Sequence, residues 1–209
     1  MSDYQLYCFA ESGNAYKAAL MLQFCQLEWE AVKVDYFNDE TRSETYRENV
    51  NELGEVPVLI HAGQHYSQSG VILDYLSDQT GKFGGANKAE GYEILKWILF
   101  DNHKFTSYIA TYRFLLTFLK TGKTDVTDFF YGRAQSALQI VDNHLKGREF
   151  IATDKLTIAD ISMCSYLYYG DELHFDLSPF TNVVAWLDRI KCVDGWKPPY
   201  ELMPVSYQA

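Results

Sequence analysis

The chain has 209 residues, of which 47% are hydrophobic and 22% charged, and it carries a formal net charge of −10 at pH 7. This length and composition predict an ordinary globular protein with one large domain or two small ones. The negative charge repels nucleic acid and anionic membrane surfaces, and the dispersed Lys and Arg residues form no patch that overrides it. We therefore expect neither nucleic acid nor a membrane as a partner.

The four cysteines lie far apart and form no Cys-x-x-Cys pair; they are Cys8, Cys25, Cys164 and Cys192. This spacing argues against a zinc site and a local redox dithiol, and it is typical of a reducing compartment. The five histidines offer no convincing metal set, so we expect no bound metal. The first residues lack the pattern of an export signal, and no apolar run is long enough to cross a bilayer. We therefore expect a cytoplasmic protein.

The first part of the chain alternates between strand and helix patterns. The predicted strands span residues 4–9, 30–35, 56–60 and 65–67, and the predicted helices span 14–25 and 69–80. The second helix is amphipathic and is closed by Gly81. The order βαβ followed by ββα indicates a four-stranded mixed sheet with helices packed against it.

Residues 82–87 predict a linker, and the chain that follows has helical patterns. The predicted helices there span 87–120, 125–145 and 181–192, and one apolar stripe of the second includes Val126, Phe129, Phe130, Ala134, Ala137, Leu138 and Val141. Thr157 and Asp160 have the spacing of a capping box. We expect the Pro-rich end, KPPYELMP, to be a surface tail. The predicted organisation is an α/β domain over 1–81, a linker over 82–87 and an all-α domain over 88–209.

Pro57 stands immediately before an apolar strand, in the run Gly-Glu-Val-Pro-Val-Leu. Because proline removes one donor from the sheet, it belongs at the first position of that strand. A plain strand-start proline explains this run when it is taken alone.

Gln68 and Ser69 stand at the next strand-to-helix junction. Ser69 has the side chain of a helix N-cap, and the helix N-terminus behind it favours an anion. Capping alone also explains Ser69.

Ser12 and Asn14 lie in the loop between the first strand and the first helix. A hydroxyl at this helix N-terminus can donate a hydrogen bond to a bound thiolate. Lowering a thiol pKa of about 8.5 by roughly two units requires only about 2.7 kcal/mol. One charge-assisted hydrogen bond and the helix dipole cover that range. The alternative is that both residues merely cap the helix.

These three segments, in this order and spacing, resemble those of the cytosolic glutathione S-transferase superfamily, and the resemblance spans essentially the whole chain. Residues 7–35 are similar to the opening of its theta-like and bacterial nu-like classes. Ser12 falls on their catalytic Ser or Thr, and Asn14 falls on the Asn of the nu-like members. Residues 156–161 resemble the capping box of the helical domain, whose role in the family is in folding.

The resemblance implies a thioredoxin-like N-terminal domain that binds glutathione as co-substrate and an all-α C-terminal domain that contributes an electrophile site. Residues 54–59 are similar to the cis-proline strand of the family, in which the residue before the proline presents its main-chain N–H and C=O to the cysteinyl part of glutathione. Gln68 and Ser69 resemble the pair that binds the glutamyl end. The implied glutathione-binding residues are Glu55, Val56, Pro57, Gln68 and Ser69.

The helical half carries a weaker similarity. Residues 102–105 resemble the beta class, in which a helical His and Lys lie near the ligand. Aromatic side chains of this half can line a pocket for a hydrophobic electrophile, although such positions are more often core. The candidates are His103, Tyr108, Tyr112 and Tyr166.

The chain also departs from several classes of the family. The catalytic tyrosine of the alpha, mu and pi classes falls on Cys8, which we expect to be a buried apolar residue. The beta-class cysteine falls on Asn14, so a mixed disulfide at that position is impossible. Ser12 is therefore the best partner for the thiolate, with Asn14 as support.

The function that the resemblance implies is transfer of the glutathione thiolate to an electrophile, in detoxification, by a homodimer. One alternative is a glutathione-dependent disulfide reductase, which the nu-like similarity at Ser12 and Asn14 allows. The other is a non-catalytic binding protein that retains only the fold. Retention of the whole set of binding residues weighs against this last alternative.

Overall fold

The computed structural model describes residues 3–207 as two compact units. The first unit comprises the chain up to Lys82 together with the residues from Val193 onward, and the second comprises Phe83–Cys192. The strands are β1 Tyr4–Cys8, β2 Trp29–Lys33, β3 Val58–His61 and β4 Gln64–Ser67. The helices are α1 Gly13–Phe24, α2 Glu44–Asn49, α3 Ser69–Thr80, α4 Lys88–Phe100, α5 Thr106–Arg113, α6 Asp125–Leu145, α7 Ile158–Cys164, α8 Thr181–Lys191 and α9 Pro199–Leu202. Within residues 3–207, no helix is both long and apolar enough to span a membrane.

The four strands form one mixed sheet in the order β2-β1-β3-β4. β1 is parallel to β2 and antiparallel to β3, and β3 is antiparallel to β4. Leu6, Val58 and Leu59 are fully buried in this sheet, and α1 packs against β1 and α3 with most of its residues buried. The predicted fold class is confirmed: an α/β thioredoxin-like unit is followed by an all-helical unit.

The short helix α2 has no counterpart among the predicted elements. It begins after Ser43, whose hydroxyl oxygen accepts a hydrogen bond from the Tyr46 N–H at 3.1 Å. Its six residues are polar except for Tyr46, which is the buried one. A single buried position creates no apolar periodicity, so the sequence pattern gives no sign of this helix.

The single helix predicted over residues 87–120 is interrupted twice. π-Helical turns follow α4 at Asp101–Phe105 and α5 at Phe114–Phe118. The first turn surrounds the buried carboxylate of Asp101, which accepts hydrogen bonds from Thr106 Oγ1 at 2.6 Å and Ser162 Oγ at 2.5 Å. Because a π-turn aligns residues five apart, it brings the Thr106 hydroxyl over this carboxylate.

Helix α6 has the predicted bounds, but its predicted apolar stripe is wrong at the N-terminal end. Ala134 and Leu138 are buried, whereas the side chains of Val126 and Phe129 are 56% and 54% exposed. The buried face instead continues through Thr127, which lies seven residues before Ala134. Val126 and Phe129 fall to the side of that face.

The predicted capping box forms at the start of α7. Asp160 Oδ2 accepts the Thr157 N–H at 2.9 Å, and Oδ1 accepts the Ile151 N–H at 2.7 Å and the Trp186 indole N–H at 3.0 Å. Burial raises the pKa of the Asp160 carboxyl, although these donors oppose the change. One carboxylate therefore joins three separate stretches of the helical unit.

The Pro-rich end is packed rather than a surface tail. It forms α9, and Pro199 and Met203 are buried. The Tyr16 hydroxyl donates to the Lys197 carbonyl at 2.6 Å, and the Ala10 N–H donates to the Pro204 carbonyl at 2.7 Å. Residues from Val193 onward, which the sequence assigns to the helical half, thus belong to the first unit.

Candidate functional site

Three chain segments leave the sheet at the same end. Tyr7 of β1 pairs with Val58 of β3, and Val58 pairs with Ser67 of β4, so β1 and β4 end where β3 begins. The loop after β1, the turn before β3 and the start of α3 are therefore neighbours. Because adjacent strands lie about 4.8 Å apart, these segments extend over about 10 Å from β1 to β4.

Ser12 is the N-cap of α1 and the first member of the predicted set. Its Oγ accepts the Ala15 N–H at 3.2 Å, and its side chain is largely buried. Within residues 3–207 the hydroxyl proton has no acceptor, and the N–H groups of Gly13 and Asn14 have none either. Capping uses the Ser12 oxygen only as an acceptor, through one lone pair, and leaves its proton available, so the two explanations of this residue are compatible. The helix N-terminus offers one hydroxyl and two amide donors to an anion.

Asn14 stands in the first turn of the same helix. Its Oδ1 is buried and has no hydrogen-bond partner among the described residues. A buried polar atom without a partner is costly, so a ligand group at that place would remove the cost. Because rotation of the amide exchanges its oxygen and nitrogen, the side chain can present either an acceptor or a donor there.

The Val56-Pro57 peptide bond at the start of β3 is cis. The ladder with β4 begins only at Val58, and within residues 3–207 the main-chain N–H and C=O of Val56 make no hydrogen bond. The preceding carbonyl is fixed, because Glu55 O accepts from the Tyr46 hydroxyl at 3.1 Å and from Asn51 Nδ2 at 3.0 Å. A rigid turn thus presents an unpaired peptide group, as an edge strand does to a peptide ligand.

Gly54 makes this turn possible. Its φ of +65° is one that residues with a side chain rarely adopt, and a Cβ there would lie 2.7 Å from the Thr41 carbonyl oxygen. The guanidinium of Arg47 lies on the same side. Both the backbone angle and the close approach require glycine.

The junction between β4 and α3 differs from its prediction in one respect. The N-cap is Gln68, with φ +68°, and Ser69 is the first residue of the helix, so the prediction of Ser69 as the cap is wrong. The Gln68 side chain does not cap the helix; its amide donates to Glu55 Oε2 at 2.8 Å. Within the described chain, the N–H groups of Ser69, Gly70 and Val71 therefore have no partner. A 12-residue helix that begins without a capping side chain leaves its N-terminus open to an anion.

The arrangement can hold an extended peptide of about three residues. Such a ligand is about 10 Å long, which equals the distance from the β1 loop to the start of α3. An acidic group fits the open N-terminus of α3, and a thiolate fits the N-terminus of α1. The unpaired peptide group of Val56 lies between them.

The candidate electrophile residues all lie in the helical unit. Tyr112 and Tyr166 are buried, Tyr108 is half-buried and His103 is exposed. The Tyr112 ring lies 5.7 Å from the Tyr131 ring, and the Tyr166 ring lies 6.0 Å from the Tyr169 ring. Their aromatic neighbours give these two tyrosines a packing role as well.

Cys8 is fully buried in β1, as predicted, and burial raises the pKa of its thiol to about 12. Tyr7 is half-buried, and its ring lies 6.5 Å from the Tyr46 ring in an edge contact. The Cys8 side chain therefore presents no thiolate to the site at neutral pH.

Sequence patterns did not identify three residues that support the site. Tyr46 and Asn51 hold the Glu55 carbonyl from α2 and its following loop. The third is Glu11, whose buried carboxylate binds the C-terminal segment. Each of these residues acts through a contact that forms only in the folded protein, and no spacing pattern in the sequence indicates that contact.

Two family models match the chain. The glutathione S-transferase N-terminal domain matches residues 12–79, and the glutathione S-transferase C-terminal domain matches residues 110–191. The solved structure of a possible glutathione S-transferase from Rhodopseudomonas palustris is 31% identical, covers 100% of both chains and superposes with a TM-score of 0.85.

Relatives with two different kinds of name match the chain. Glutathione S-transferase D7 of Drosophila melanogaster is 27% identical over 78% of this chain and 73% of its own length. Elongation factor 1-gamma of Artemia salina is 25% identical over 78% of this chain, and the match spans only 38% of that relative.

Proposed function

Because the chain belongs to the cytosolic glutathione S-transferase superfamily, we propose that it binds glutathione, stabilises its thiolate and transfers it to an electrophilic substrate. One observation carries the proposal: three segments with unpaired donors meet at one end of the sheet. Their span of about 10 Å corresponds to an extended tripeptide.

Each segment takes one part of glutathione. The N–H groups and hydroxyl at Ser69 bind the γ-glutamyl carboxylate, and Gln68, held by Glu55, binds the same amino-acid end. The main chain of Val56, fixed by Pro57, pairs with the cysteinyl residue. The open N-terminus of α3 supports this assignment, because it neutralises a carboxylate without a lysine or arginine.

The sulfur lies at the N-terminus of α1. The Ser12 hydroxyl donates to the thiolate, with Asn14 as the second contact. The thiol proton leaves to solvent, the sulfur electron pair forms a bond to the electrophilic carbon, and the leaving group departs with its own pair. The protein contributes a lowered thiol pKa and the orientation of the sulfur.

We assign electrophile binding to the helical unit, with His103, Tyr108, Tyr112 and Tyr166 as candidates. Their aromatic character suits a hydrophobic substrate. Detoxification is the corresponding role, in the cytoplasm. The free cysteines, three of them buried, are consistent with a reducing compartment.

We also propose that the protein is a homodimer. Large apolar side chains follow one face of α4 and are at least half exposed: Tyr92 at 61%, Leu95 at 50% and Leu99 at 59%. Their spacing of three and four residues places them in a single stripe. Such a stripe favours burial against a second copy.

Two alternatives stay open. Asn14, with its unpaired buried oxygen, supports a glutathione-dependent disulfide reductase in which the amide binds the second sulfur. The similarity to elongation factor 1-gamma, a relative that is not named as a transferase, supports a non-catalytic binding protein, since one fold hosts several functions. The unpaired donors of both helices favour a ligand-binding site in either alternative.

Calorimetric titration with glutathione tests the proposal. We expect a dissociation constant between micromolar and millimolar, and elution as a dimer in size-exclusion chromatography. Cysteinylglycine, which lacks the γ-glutamyl group, is the matched control and binds about tenfold more weakly because the α3 contacts are lost. A flat titration at several millimolar glutathione would leave the non-catalytic alternative. Activity on disulfides but not on an aryl halide would make reductase the better assignment.

A further inference from the structure

We propose that Glu11 and the C-terminal segment, residues 203–207, form a clamp that fixes the position of the Ser12 hydroxyl. Glu11 is then a positioning residue for thiolate stabilisation, and this inference rests on the proposed function. Both partners of the clamp belong to the first unit.

The clamp acts on the tight turn that follows β1. The Ser12 N–H donates to the Phe9 carbonyl at 3.1 Å, which closes a four-residue turn. Ala10 and Glu11 are its two central residues. The Ala10 N–H donates to the Pro204 carbonyl at 2.7 Å, so the main chain of the turn is bound directly to the C-terminal segment.

The Glu11 side chain makes the second attachment. It is 4% exposed, and Oε1 accepts the Tyr207 N–H at 2.7 Å. The Ser206 N–H lies 3.2 Å from Oε1 and 3.1 Å from Oε2. A buried carboxylate requires such donors, so Glu11 and the two amides hold each other in place.

Aromatic packing makes the third attachment. The Tyr207 ring lies 4.9 Å from the Phe37 ring, in an edge contact. The Phe37 ring in turn lies 6.0 Å from the ring of Phe9, the first residue of the turn. Main chain, carboxylate and rings thus all connect the C-terminal segment to the turn that ends at Ser12.

Ser12 is consequently held from both sides. Helix α1 holds it on the C-terminal side through the Ala15 N–H, and the clamp holds it on the N-terminal side. A hydrogen bond to a developing charge depends on placement within about 0.5 Å. Release of the clamp leaves the helix cap intact but frees the backbone that carries the hydroxyl, so the thiolate loses part of its stabilisation.

The sign of the effect separates positioning from direct electrostatics. A carboxylate near a thiolate repels it, so removal of the Glu11 charge would by itself lower the pKa of bound glutathione. Loss of the aligned Ser12 donor raises that pKa. A rise on neutralisation of Glu11 is therefore evidence for positioning.

Two variants test the clamp. In Glu11→Gln, an uncharged amide, one half of which is itself a donor, replaces the carboxylate that accepts the Ser206 and Tyr207 N–H groups. The other variant is a chain that ends at Met203. The thiolate absorbance of saturating bound glutathione, followed against pH, should show a pKa rise of about one unit in both. At a pH below both pKa values, kcat should fall about tenfold while KM for glutathione is unchanged. Val205→Ala, at an exposed position of the same segment, should match the wild type.

The clamp also predicts non-additive effects. Glu11→Gln in the chain ending at Met203 should raise the pKa no further, because the amides of Ser206 and Tyr207 are already absent. Slow amide exchange at Ser206 and Tyr207 in the wild type should become fast in Glu11→Gln. Fast exchange in the wild type would overturn the proposal even if a variant failed to fold.

An unchanged or lowered pKa in folded variants would refute the clamp alone, provided that the wild type lowers the pKa of glutathione. A wild type that binds no glutathione, or leaves its pKa at the free value, would refute the proposed function and the clamp together.

Discussion

The replacement Ser12→Ala tests the proposed thiolate contact most directly. The Ser12 hydroxyl caps α1 and has a free proton, so the replacement removes two interactions at once. A hydrogen bond to a charged group is worth about 1.5–3 kcal/mol. Since about 1.4 kcal/mol corresponds to one pKa unit, the pKa of bound glutathione should rise by about one to two units.

The assay combines a pH profile with a direct titration. The rate with an aryl halide should fall at neutral pH and recover as the pH rises above the new pKa. The absorbance of the bound thiolate should titrate at the same raised pKa. Recovery is the decisive feature, because loss of folded protein or of glutathione binding would not be reversed at higher pH.

Two further variants separate the donor from the cap. Ser12→Gly removes the hydroxyl but costs only a few tenths of a kcal/mol in capping, whereas Ser12→Ala costs about 1 kcal/mol of stability. Both should raise the pKa equally, and Ser12→Thr should restore it. A wild-type profile in Ser12→Ala combined with a shifted profile in Asn14→Ala would assign the thiolate to Asn14. A shift in Tyr7→Phe alone would assign it to the tyrosine.

Three other expectations follow from the structure. Ser69→Ala should raise KM for glutathione with little change in kcat, and a collapsed kcat would contradict the assignment. Because Ser69 is not the cap, the Tm of this variant should stay at the wild-type value. Gly54→Ala should lower the free energy of unfolding, measured with urea, by more than the roughly 1–2 kcal/mol that a left-handed backbone costs a residue with a side chain. Gly63→Ala is the control, because Gly63 also has a positive φ but no atom close to the added Cβ. The exposed thiol of Cys192 should react with a thiol reagent in the native protein. The thiol of Cys8 should react only after unfolding, since it is buried and has a pKa of about 12. Rapid labelling of Cys8 would instead show that β1 opens.

The sequence predicted the elements that depend on local periodicity. The bounds of α3 and α6 coincide with their predictions, because both helices have local end signals. Gly81 ends α3, and the side chain of Thr124 caps α6 by accepting the Thr127 N–H. The resemblance to the family, rather than a local pattern, assigned Ser12, Val56 and Ser69 to one predicted glutathione site. The strand order that makes them neighbours follows from the mixed sheet.

The remaining features depend on contacts that local patterns do not contain. Ser69 has the side chain of a cap, but the positive φ of Gln68 places the cap one residue earlier. The π-turn at Asp101 depends on a hydroxyl from Ser162, which is 61 residues away. Glu11 and Tyr207 are separated by 196 residues, so no local sequence pattern could predict that the Pro-rich end packs against the first unit.

Because the residues from Val193 onward complete the first unit, this unit cannot finish folding until the whole helical unit has been synthesised. The sheet emerges from the ribosome early, but its last packing element follows only after the helical unit has been made. At about 5–20 residues per second, the ribosome needs roughly 6 to 22 seconds to synthesise the stretch between Lys82 and Val193. The nascent first unit therefore waits without α9 and the segment that binds Glu11. We expect the helical unit to reach its native state first. The loop that carries Ser12 should be among the last parts of the nascent protein to become ordered.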